Sequence, residues 1–327
     1  MKTCWFDQFG SARDVLQIGD RQTPEPGPGE VLVKLRTTGV NPSDVKKRAG
    51  GFPDLLDAGP VIPHSDGAGT IAAVGAGVPA SRAGERVFVY QAQYGRQHGT
   101  AAEYVTIASD RAPSLPDNTS FEVGACVGIP ILTAHRCVFA DGPVTDQQIL
   151  VTGGAGRVGH YAIQWARRDG ARVIATASNE LDAAACRAAG ADSVVNHREA
   201  GWGQQVFDLS GGKKIDRVID VEFGANLPEL LHCVRIGATI ATYSSTVVPE
   251  PTLPFRTMMF MDLTVRMVIV YAMPERAKAQ AVADTQALLA SDALQHRIAD
   301  VLPFEEMAQA HEMIETGSIR GCVIVGI

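Results

Sequence analysis

Cysteine is scarce in this sequence, and no two cysteines stand close together. The chain of 327 residues has six of them, at positions 4, 126, 137, 186, 233 and 322. Without a Cys-x-x-Cys pair the sequence has no zinc-ribbon spacing. Cysteines scattered singly among apolar residues are typical of reduced, buried thiols.

Long uncharged apolar runs are also missing. No uncharged run reaches the roughly eighteen residues that a membrane-spanning helix needs. Residues 1–7 lack the apolar core of a secretory signal. We therefore expect a soluble, cytoplasmic protein with no membrane partner.

A surplus of basic residues is missing as well. The chain has 29 Lys and Arg against 36 Asp and Glu, a formal net charge of −7. A nucleic-acid surface needs clustered Lys and Arg, so the composition argues against nucleic acid as a partner. The chain is 46% hydrophobic and 20% charged, as a globular protein is, and its length favours about two domains.

One glycine motif stands out against this ordinary composition. An apolar strand at 147–153 runs into glycines 154, 156 and 159, spaced Gly-x-Gly-x-x-Gly, and a helix follows. In such motifs the first glycine allows the tight turn, the second lets the backbone approach a pyrophosphate, and the third lets the helix pack on the strand. The helix N-terminus favours an anion. A purely structural glycine turn is the alternative, but the flanking strand and helix favour dinucleotide binding.

The next strand bears on the choice of dinucleotide. Residues 171–176 read as a second parallel strand, and folds that prefer NAD usually place an acid at its end. Here Ala177 and Ser178 follow, and no carboxylate comes before Glu180. This leaves room for a 2′-phosphate to which Ser178 can donate, which favours NADPH, although Glu180 and Asp182 act in the opposite sense.

The composition and the hydrophobic pattern of the sequence change twice along the chain. These changes predict domains at 1–123 and 124–271 and a C-terminal segment at 272–327. The first part is rich in Gly and Pro and reads as a small β-barrel with strands at 30–36, 68–74 and 85–90. The second part alternates strands and helices, which is typical of a doubly wound α/β sheet. Its predicted elements are 147–153, 158–169, 171–176, 180–189, 192–195, 215–220, 227–235, 238–243 and 264–271. A helix at 275–290 and a last strand at 322–327 follow.

Several ordered motifs resemble one family over the whole chain. They are GVNPSD at 39–44, PVIPHSDGAG at 60–69, GERV at 84–87, GTAAEY at 99–104, ILTA at 131–134, the glycine motif, VNHRE at 195–199, and RG at 320–321. The chain is similar to the zinc-free, zeta-crystallin-like quinone oxidoreductases of the medium-chain dehydrogenase/reductase superfamily. The resemblance implies a GroES-like β-barrel catalytic domain, completed by the C-terminal segment, beside a Rossmann domain with a doubly wound parallel sheet, and an active site in the cleft between them.

The implied activity is NADPH-dependent transfer of a hydride to a quinone without zinc. Conjugated carbonyl acceptors develop charge on oxygen, which hydrogen-bond donors can stabilise without a metal. An NADPH-dependent enone or enoyl reductase on the same scaffold is the alternative. A nucleotide-binding protein without turnover is a third hypothesis.

Zinc-dependent relatives need thiolate and imidazole ligands at two positions that differ here. Asn41 occupies the first position and Ser65 the second, while His64 stands one place early. A lone histidine in such a loop is more often a hydrogen-bonded structural residue than a ligand. The segment 91–98 is short and free of cysteine, so we expect no metal.

The resemblance also suggests catalytic residues. Asn41 is the best-matched polar residue and is implied to lie near the nicotinamide ribose and the substrate; a turn cap before Pro42 is the alternative. Lys46, Phe52 and His135 stand where relatives often carry aromatic hydroxyls. Lys46 or His135 could donate a proton to the developing oxyanion, and a solvated or packed side chain is the alternative for each.

The implied cofactor contacts lie mostly in the second domain. His197 replaces a tyrosine near the adenosine phosphate and can partly offset a missing lysine, whose matching position is Asp182; Arg198 is a second candidate. The expected cofactor-binding residues are Asn41, Thr133, Gly154, Ala155, Gly156, Arg157, Val158, Gly159, Ser178, His197, Tyr243 and Arg320.

The segment 263–271 should be the last strand of the Rossmann sheet and therefore its edge. A long apolar edge invites pairing, and relatives commonly pair this strand with its copy. We therefore expect a homodimer.

Overall fold

The fold was established from a computed structural model, which describes residues 1–317 and 319–327. The strands in these residues are β1 (Lys2–Trp5), β2 (Gln17–Asp20), β3 (Glu30–Val40), β4 (Asp66–Val74), β5 (Arg86–Val89), β6 (Tyr104–Ala108), β7 (Gln148–Val151), β8 (Arg172–Ala177), β9 (Ser193–Asn196), β10 (Ile215–Asp220), β11 (Val234–Thr242), β12 (Thr264–Met267), β13 (Ile298–Leu302) and β14 (Cys322–Gly326). The α-helices are α1 (Ala12–Val15), α2 (Pro42–Arg48), α3 (Phe121–Gly124), α4 (Ile129–Phe139), α5 (Arg157–Arg168), α6 (Glu180–Ala188), α7 (Trp202–Leu209), α8 (Phe223–Cys233), α9 (Phe255–Phe260), α10 (Glu275–Ala290) and α11 (Met307–Glu315).

The chain divides into two compact units. The first comprises Met1–Ile129 with Val282–Ile327, and the second comprises Pro130–Ala281. These limits differ from the predicted boundaries after residues 123 and 271. The segment after 123 stays with the first unit because the backbone N–H of Ile129 donates to the carboxyl group of Asp66, 2.8 Å away. The second limit falls within α10.

The first unit is built on the long strand β3. One edge of β3 pairs with β4, while the other edge pairs with β6 along its first half and with β14 along its second half, all antiparallel. Val31, Val33 and Leu35 alternate along β3 and face one apolar core with Val87 and Val105. This is the alternation that the sequence predicted, and each fully buried side chain of this size stabilises the fold by about 1.5–3 kcal/mol.

The C-terminal segment shares a core with the N-terminal strands. Met307, Ala310 and Ile314 recur at helical spacing along α11 and pack against Val40 and Val323. Because β14 also pairs with β3, the last 46 residues, 282–327, are part of the first unit's structure and not an appendage.

The second unit holds a six-stranded parallel sheet in the order β12-β11-β10-β7-β8-β9. Leu150, Val218 and Ile240 stand side by side on three neighbouring strands and share one core with Trp202 and Phe223 from the helices. Strands buried on both faces read as continuous apolar runs, which is why the sequence revealed them.

Several elements of the second unit differ from the predictions. Helices α4, α7 and α9 were not predicted. Helix α8 begins at Phe223 instead of 227, with Pro228 inside it. The predicted strand 264–271 ends at Met267, because residues 270–272 form a short 3-10 turn that buries Val270 and Tyr271.

Candidate functional site

The glycine motif forms the turn between β7 and α5. Its left-handed backbone angle falls at Gly153, with φ +59°, so Gly153 provides the tight turn that the motif assigned to Gly154. Gly154 has a packing role instead, since an added Cβ would lie 2.9 Å from the side chains of Ala175 and Cys186.

The other two glycines of the motif have the predicted geometry. A Cβ on Gly159 would lie 2.4 Å from the carbonyl oxygen of Gly153, so glycine there lets helix and turn touch. Gly156 is the N-cap of α5 with an ordinary φ of −73°, and an added Cβ would meet only that same carbonyl, at 3.1 Å. Helix first turns hold N–H groups without intrahelical partners, so the space beside Gly156, Arg157 and Val158 suits an anion.

The ends of β8 and β9 meet at the same edge of the sheet. Ala177 pairs with Asn196, so Ser178 and His197, each the next residue along, leave neighbouring parallel strands at one place. Ser178 is half-buried and His197 is exposed. A hydroxyl and an imidazole thus follow neighbouring strands at the edge where such sheets bind ligands.

Both carboxylates that weighed against NADPH have partners within the second unit. Glu180 accepts from the guanidinium of Arg187 at 2.6 Å. Asp182 is buried and accepts from the amide of Asn179, the N-cap of α6, at 2.9 Å. Asp182 is therefore fixed within α6, whereas Glu180 forms an exposed surface ion pair.

Other predicted residues have distinct surroundings. Thr133 and His135 are buried on α4, where the His135 ring centroid lies 4.8 Å from that of Phe139 and 5.1 Å from that of Trp165. This packing favours the structural alternative for His135 over proton donation. Tyr243 follows β11, and burial raises the pKa of its hydroxyl well above the ordinary value.

Arg320 lies in the first unit, before β14. It is exposed, and its guanidinium donates to the backbone carbonyls of Gly317 and Ile319. These bonds hold the side chain along its own segment.

Asn41 lies where β3 ends and α2 begins. It is the N-cap of α2, as the capping alternative required, and its backbone N–H donates to Asp44 Oδ2 at 2.9 Å. The buried side chain also donates from Nδ2 to Asp66 Oδ2 at 2.9 Å. Asn41 is therefore a helix cap, and a carboxyl group that the sequence analysis missed fixes its amide.

Asp66 is fully buried and is bonded through both its side chain and its backbone. Its Oδ2 also accepts from the N–H of Ile129, and its carbonyl accepts from the hydroxyls of Thr100, at 2.6 Å, and Thr38, at 3.2 Å. Burial raises the pKa of Asp66 to about 8. The carboxyl group is therefore largely neutral at pH 7.

Two histidines continue this network. His64 Nδ1 lies 2.9 Å from Thr38 Oγ1, and His64 Nε2 lies 2.9 Å from Nε2 of His311 on α11. Burial, with a smaller effect of the Lys47 charge, lowers the pKa of His64 to about 3. Burial also lowers the pKa of His311 well below its ordinary value, so both rings are neutral. His64 is thus a hydrogen-bonded structural residue, as expected.

The buried lysine of α2 is not the one that the sequence analysis named. Lys46 is exposed, whereas Lys47 is buried and donates to the carbonyl and to Oε1 of Gln93, both at 2.6 Å. Position 47 shares a helix face with Asp44, three residues earlier, so it lies beside the Asn41 network. Phe52 follows α2 and is 48% exposed. The structure does not bring Lys46 or Phe52 into the network.

The donor set around Asn41 does not fit zinc. The Asn41 amide donates a hydrogen bond, and an imidazole nitrogen of His64 is bonded to His311. Within residues 1–317 and 319–327, no group of three or more His, Cys, Asp or Glu is arranged to hold a metal ion. In the same residues, no helix is long and apolar enough to cross a membrane.

Comparison with known proteins places both units in known families. Residues 27–117 match the alcohol dehydrogenase GroES-like domain, and residues 158–286 match the zinc-binding dehydrogenase family. The chain is 32% identical over 316 residues to a quinone oxidoreductase of Pongo abelii, covering 95% of this chain and 93% of the relative. The chain belongs to the quinone oxidoreductase family. This family lies in the medium-chain dehydrogenase/reductase superfamily, as the resemblance indicated.

Two further proteins are similar to this chain. The crystal structure of the Escherichia coli quinone oxidoreductase complexed with NADPH matches with a TM-score of 0.88 and 25% identity, covering 100% of both chains. A trans-enoyl reductase of Aspergillus terreus is 31% identical over 242 residues, covering 68% of this chain and 74% of the relative. The predicted combination of a GroES-like domain with a Rossmann domain is confirmed, and the protein is an oxidoreductase.

Proposed function

We propose that the protein is an NADPH-dependent quinone reductase that works without a metal ion. The observation that carries the proposal is the glycine turn between β7 and α5, in a chain of the quinone oxidoreductase family. Near Gly156 an added Cβ would meet only the carbonyl oxygen of Gly153, which leaves space for a phosphate. When bound there, NADPH would supply a hydride from its nicotinamide ring. The NADPH complex of the Escherichia coli relative supports this choice of cofactor.

The preference for NADPH over NADH rests on the edge formed by β8 and β9. Ser178 can donate its hydroxyl to a 2′-phosphate, and a protonated His197 can add a charge-assisted bond. Ala177 and Ser178 follow β8 where an acid would hold a 2′-hydroxyl, and Asp182 is bonded within α6. Arg198 is a further candidate for the phosphate.

Asn41 is the residue that we assign to the substrate and the nicotinamide ribose. Its amide is fixed by Asp66, and a fixed donor can stabilise the charge that develops on a carbonyl oxygen without reorganising. Thr133, Tyr243 and Arg320 complete the proposed cofactor contacts. Lys46, Phe52 and His135 stay secondary candidates for the substrate side, because none of them joins the Asn41 network.

A steady-state screen tests the proposed function. NADPH oxidation would be measured with 1,4-benzoquinone, 9,10-phenanthrenequinone and 1-octen-3-one, and again with NADH. We expect higher kcat/KM for the quinones and for NADPH. A preference for 1-octen-3-one would favour the enone reductase alternative, which the Aspergillus terreus trans-enoyl reductase supports. NADPH binding without turnover of any acceptor would favour a non-catalytic role.

We also propose a homodimer in the cytoplasm. β12 is the edge strand of the parallel sheet, and Met267 at its end is 76% exposed. Helix α9 exposes Phe255 and Phe260 in the same unit. An open edge with exposed apolar side chains favours pairing with a second copy. The buried free thiols of Cys4, Cys126, Cys137, Cys186, Cys233 and Cys322 support a reducing compartment.

A further inference from the structure

The carboxyl group of Asp66 lies next to Asn41 and is itself almost completely enclosed. Oδ2 accepts two hydrogen bonds, from Asn41 Nδ2 and from the N–H of Ile129. Among the residues that the structure describes, Oδ1 has no hydrogen-bond partner. A Cβ on Gly128 would lie 2.1 Å from Oδ1, so this oxygen fits only because residue 128 is glycine.

This arrangement disfavours a negative charge on Asp66. A buried ionised carboxylate costs several kcal/mol unless its oxygens are hydrogen-bonded, and here only one oxygen is. The charged or titratable groups that interact with the carboxyl group are Asp44 and Lys47 on α2 and Cys126 after α3. Lys47 favours ionisation and Asp44 opposes it, but burial is the largest effect and raises the pKa of Asp66 to about 8.

We infer that Asp66 is a positioning residue that acts through Asn41, and that its carboxyl group must be protonated for the reductase reaction. The inference rests on the function proposed above, in which the Asn41 amide faces the substrate. The two ends of an amide differ, one donating and one accepting, and the bond to Asp66 decides which atom points which way. A negative charge behind that amide would oppose the negative charge that develops on the substrate oxygen.

The pH dependence of kcat/KM for quinone reduction tests this inference. In the wild type, kcat/KM should fall on the alkaline side with a midpoint of about 8, the pKa of Asp66. Asp66→Asn keeps an acceptor oxygen for Asn41 and Ile129 but has no proton to lose. Its kcat/KM at pH 6.5 should stay within about threefold of wild type, and the alkaline decline should disappear.

Two further variants separate positioning from packing. Asp66→Ala removes the partner of the Asn41 amide and should lower kcat about 10- to 100-fold, as misplacement of a catalytic group does. NADPH affinity should fall less than kcat, because the glycine turn before α5 is unchanged. Asp44→Asn should retain the decline but move it to lower pH, because the Asp44 charge raises the pKa of Asp66. If Asp66→Asn declines with pH as the wild type does, the titrating group is another one, such as Lys47, and the inference is overturned.

Infrared spectroscopy gives a readout that needs no turnover. The carbonyl band of the protonated Asp66 carboxyl group should vanish between pH 6.5 and pH 9.5 in the wild type. The same band should be missing from Asp66→Asn at both pH values. Asp220, whose pKa burial also raises, contributes equally to both proteins. If the Asp66 band titrates but the wild type reduces no quinone, the proposed function alone is refuted. If the wild type reduces quinone but its carbonyl bands are identical to those of Asp66→Asn, the inference alone is refuted.

Discussion

Replacing His64 by Asn should make the stability of the first unit less sensitive to acid. The His64 ring is fully buried and bonds Thr38 and His311. Asn suits the test because it tolerates the left-handed backbone of residue 64, φ +75°, better than most residues. Its amide can still reach a hydrogen-bond partner, but it takes no proton.

The magnitude follows from the two protonation states. The unfolded chain takes up a proton at His64 as the pH falls through 6.5, whereas the folded protein keeps the ring neutral until about pH 3. Stability is therefore lost as the pH falls below 6.5. The loss of unfolding free energy grows by about 1.36 kcal/mol for each pH unit below 6.5. At pH 5 the loss is about 2 kcal/mol, and at pH 7 it is only about a few tenths of a kcal/mol.

Other buried groups change the total pH dependence but not this difference. The pKa of Asp66 is raised, so its effect has the opposite sign and folding is favoured as the pH falls through about 8. His311 stays neutral for the same reason as His64. The effect of Asp66 cancels to first order in the comparison. His311 contacts His64, but burial is the largest cause of its lowered pKa, so its ring should stay neutral in the variant as well.

The assay is urea unfolding followed by tryptophan fluorescence at pH 7 and pH 5. The unfolding free energy of His64→Asn relative to wild type should improve by about 2 kcal/mol on going to pH 5. His232→Asn, which removes an exposed histidine, is the control and should shift stability equally at both pH values. An equal effect of His64→Asn at the two pH values would refute a neutral buried imidazole.

Three further substitutions test the second unit. Gly156→Val should lower NADPH affinity at least about 100-fold, because the added side chain fills the space through which the phosphates approach. The melting temperature should be retained, because the φ of −73° at residue 156 suits any residue. Fluorescence titration would measure the affinity and circular dichroism the melting temperature. Wild-type protein should prefer NADPH to NADH by about tenfold, or 1.4 kcal/mol, and Ser178→Ala should lose much of that preference; equal or tighter NADH binding in the wild type would contradict it. Met267→Lys should convert a dimer into a monomer of 34.7 kDa by light scattering at micromolar concentration, and a wild-type monomer would refute the proposed dimer.

Much of the second unit could be predicted because its strands are local apolar runs and its turn carries a glycine spacing. Helix α7 was missed because glycines at 201, 203 and 211 lower helix propensity at both of its ends. The signal that could have revealed it is the pair Trp202 and Val206, four residues apart and both buried. Tertiary packing there outweighs local propensity.

The network behind Asn41 could not be predicted from local patterns. His311 lies 247 residues from His64 in sequence, and the two meet only because β14 and α11 pack on the N-terminal strands. Lys46 was named from matching positions in relatives. The helical period instead places residue 47 on the face of α2 that carries Asp44.

Quinone reduction by NADPH after exhaustive treatment with EDTA or phenanthroline tests most directly whether the reaction needs a metal ion. Asn41 and Ser65 stand where zinc enzymes have thiolate and imidazole ligands, and neither side chain can replace them. We expect kcat and KM to stay unchanged after chelation. Loss of activity on chelation, with recovery on addition of zinc, would contradict this expectation.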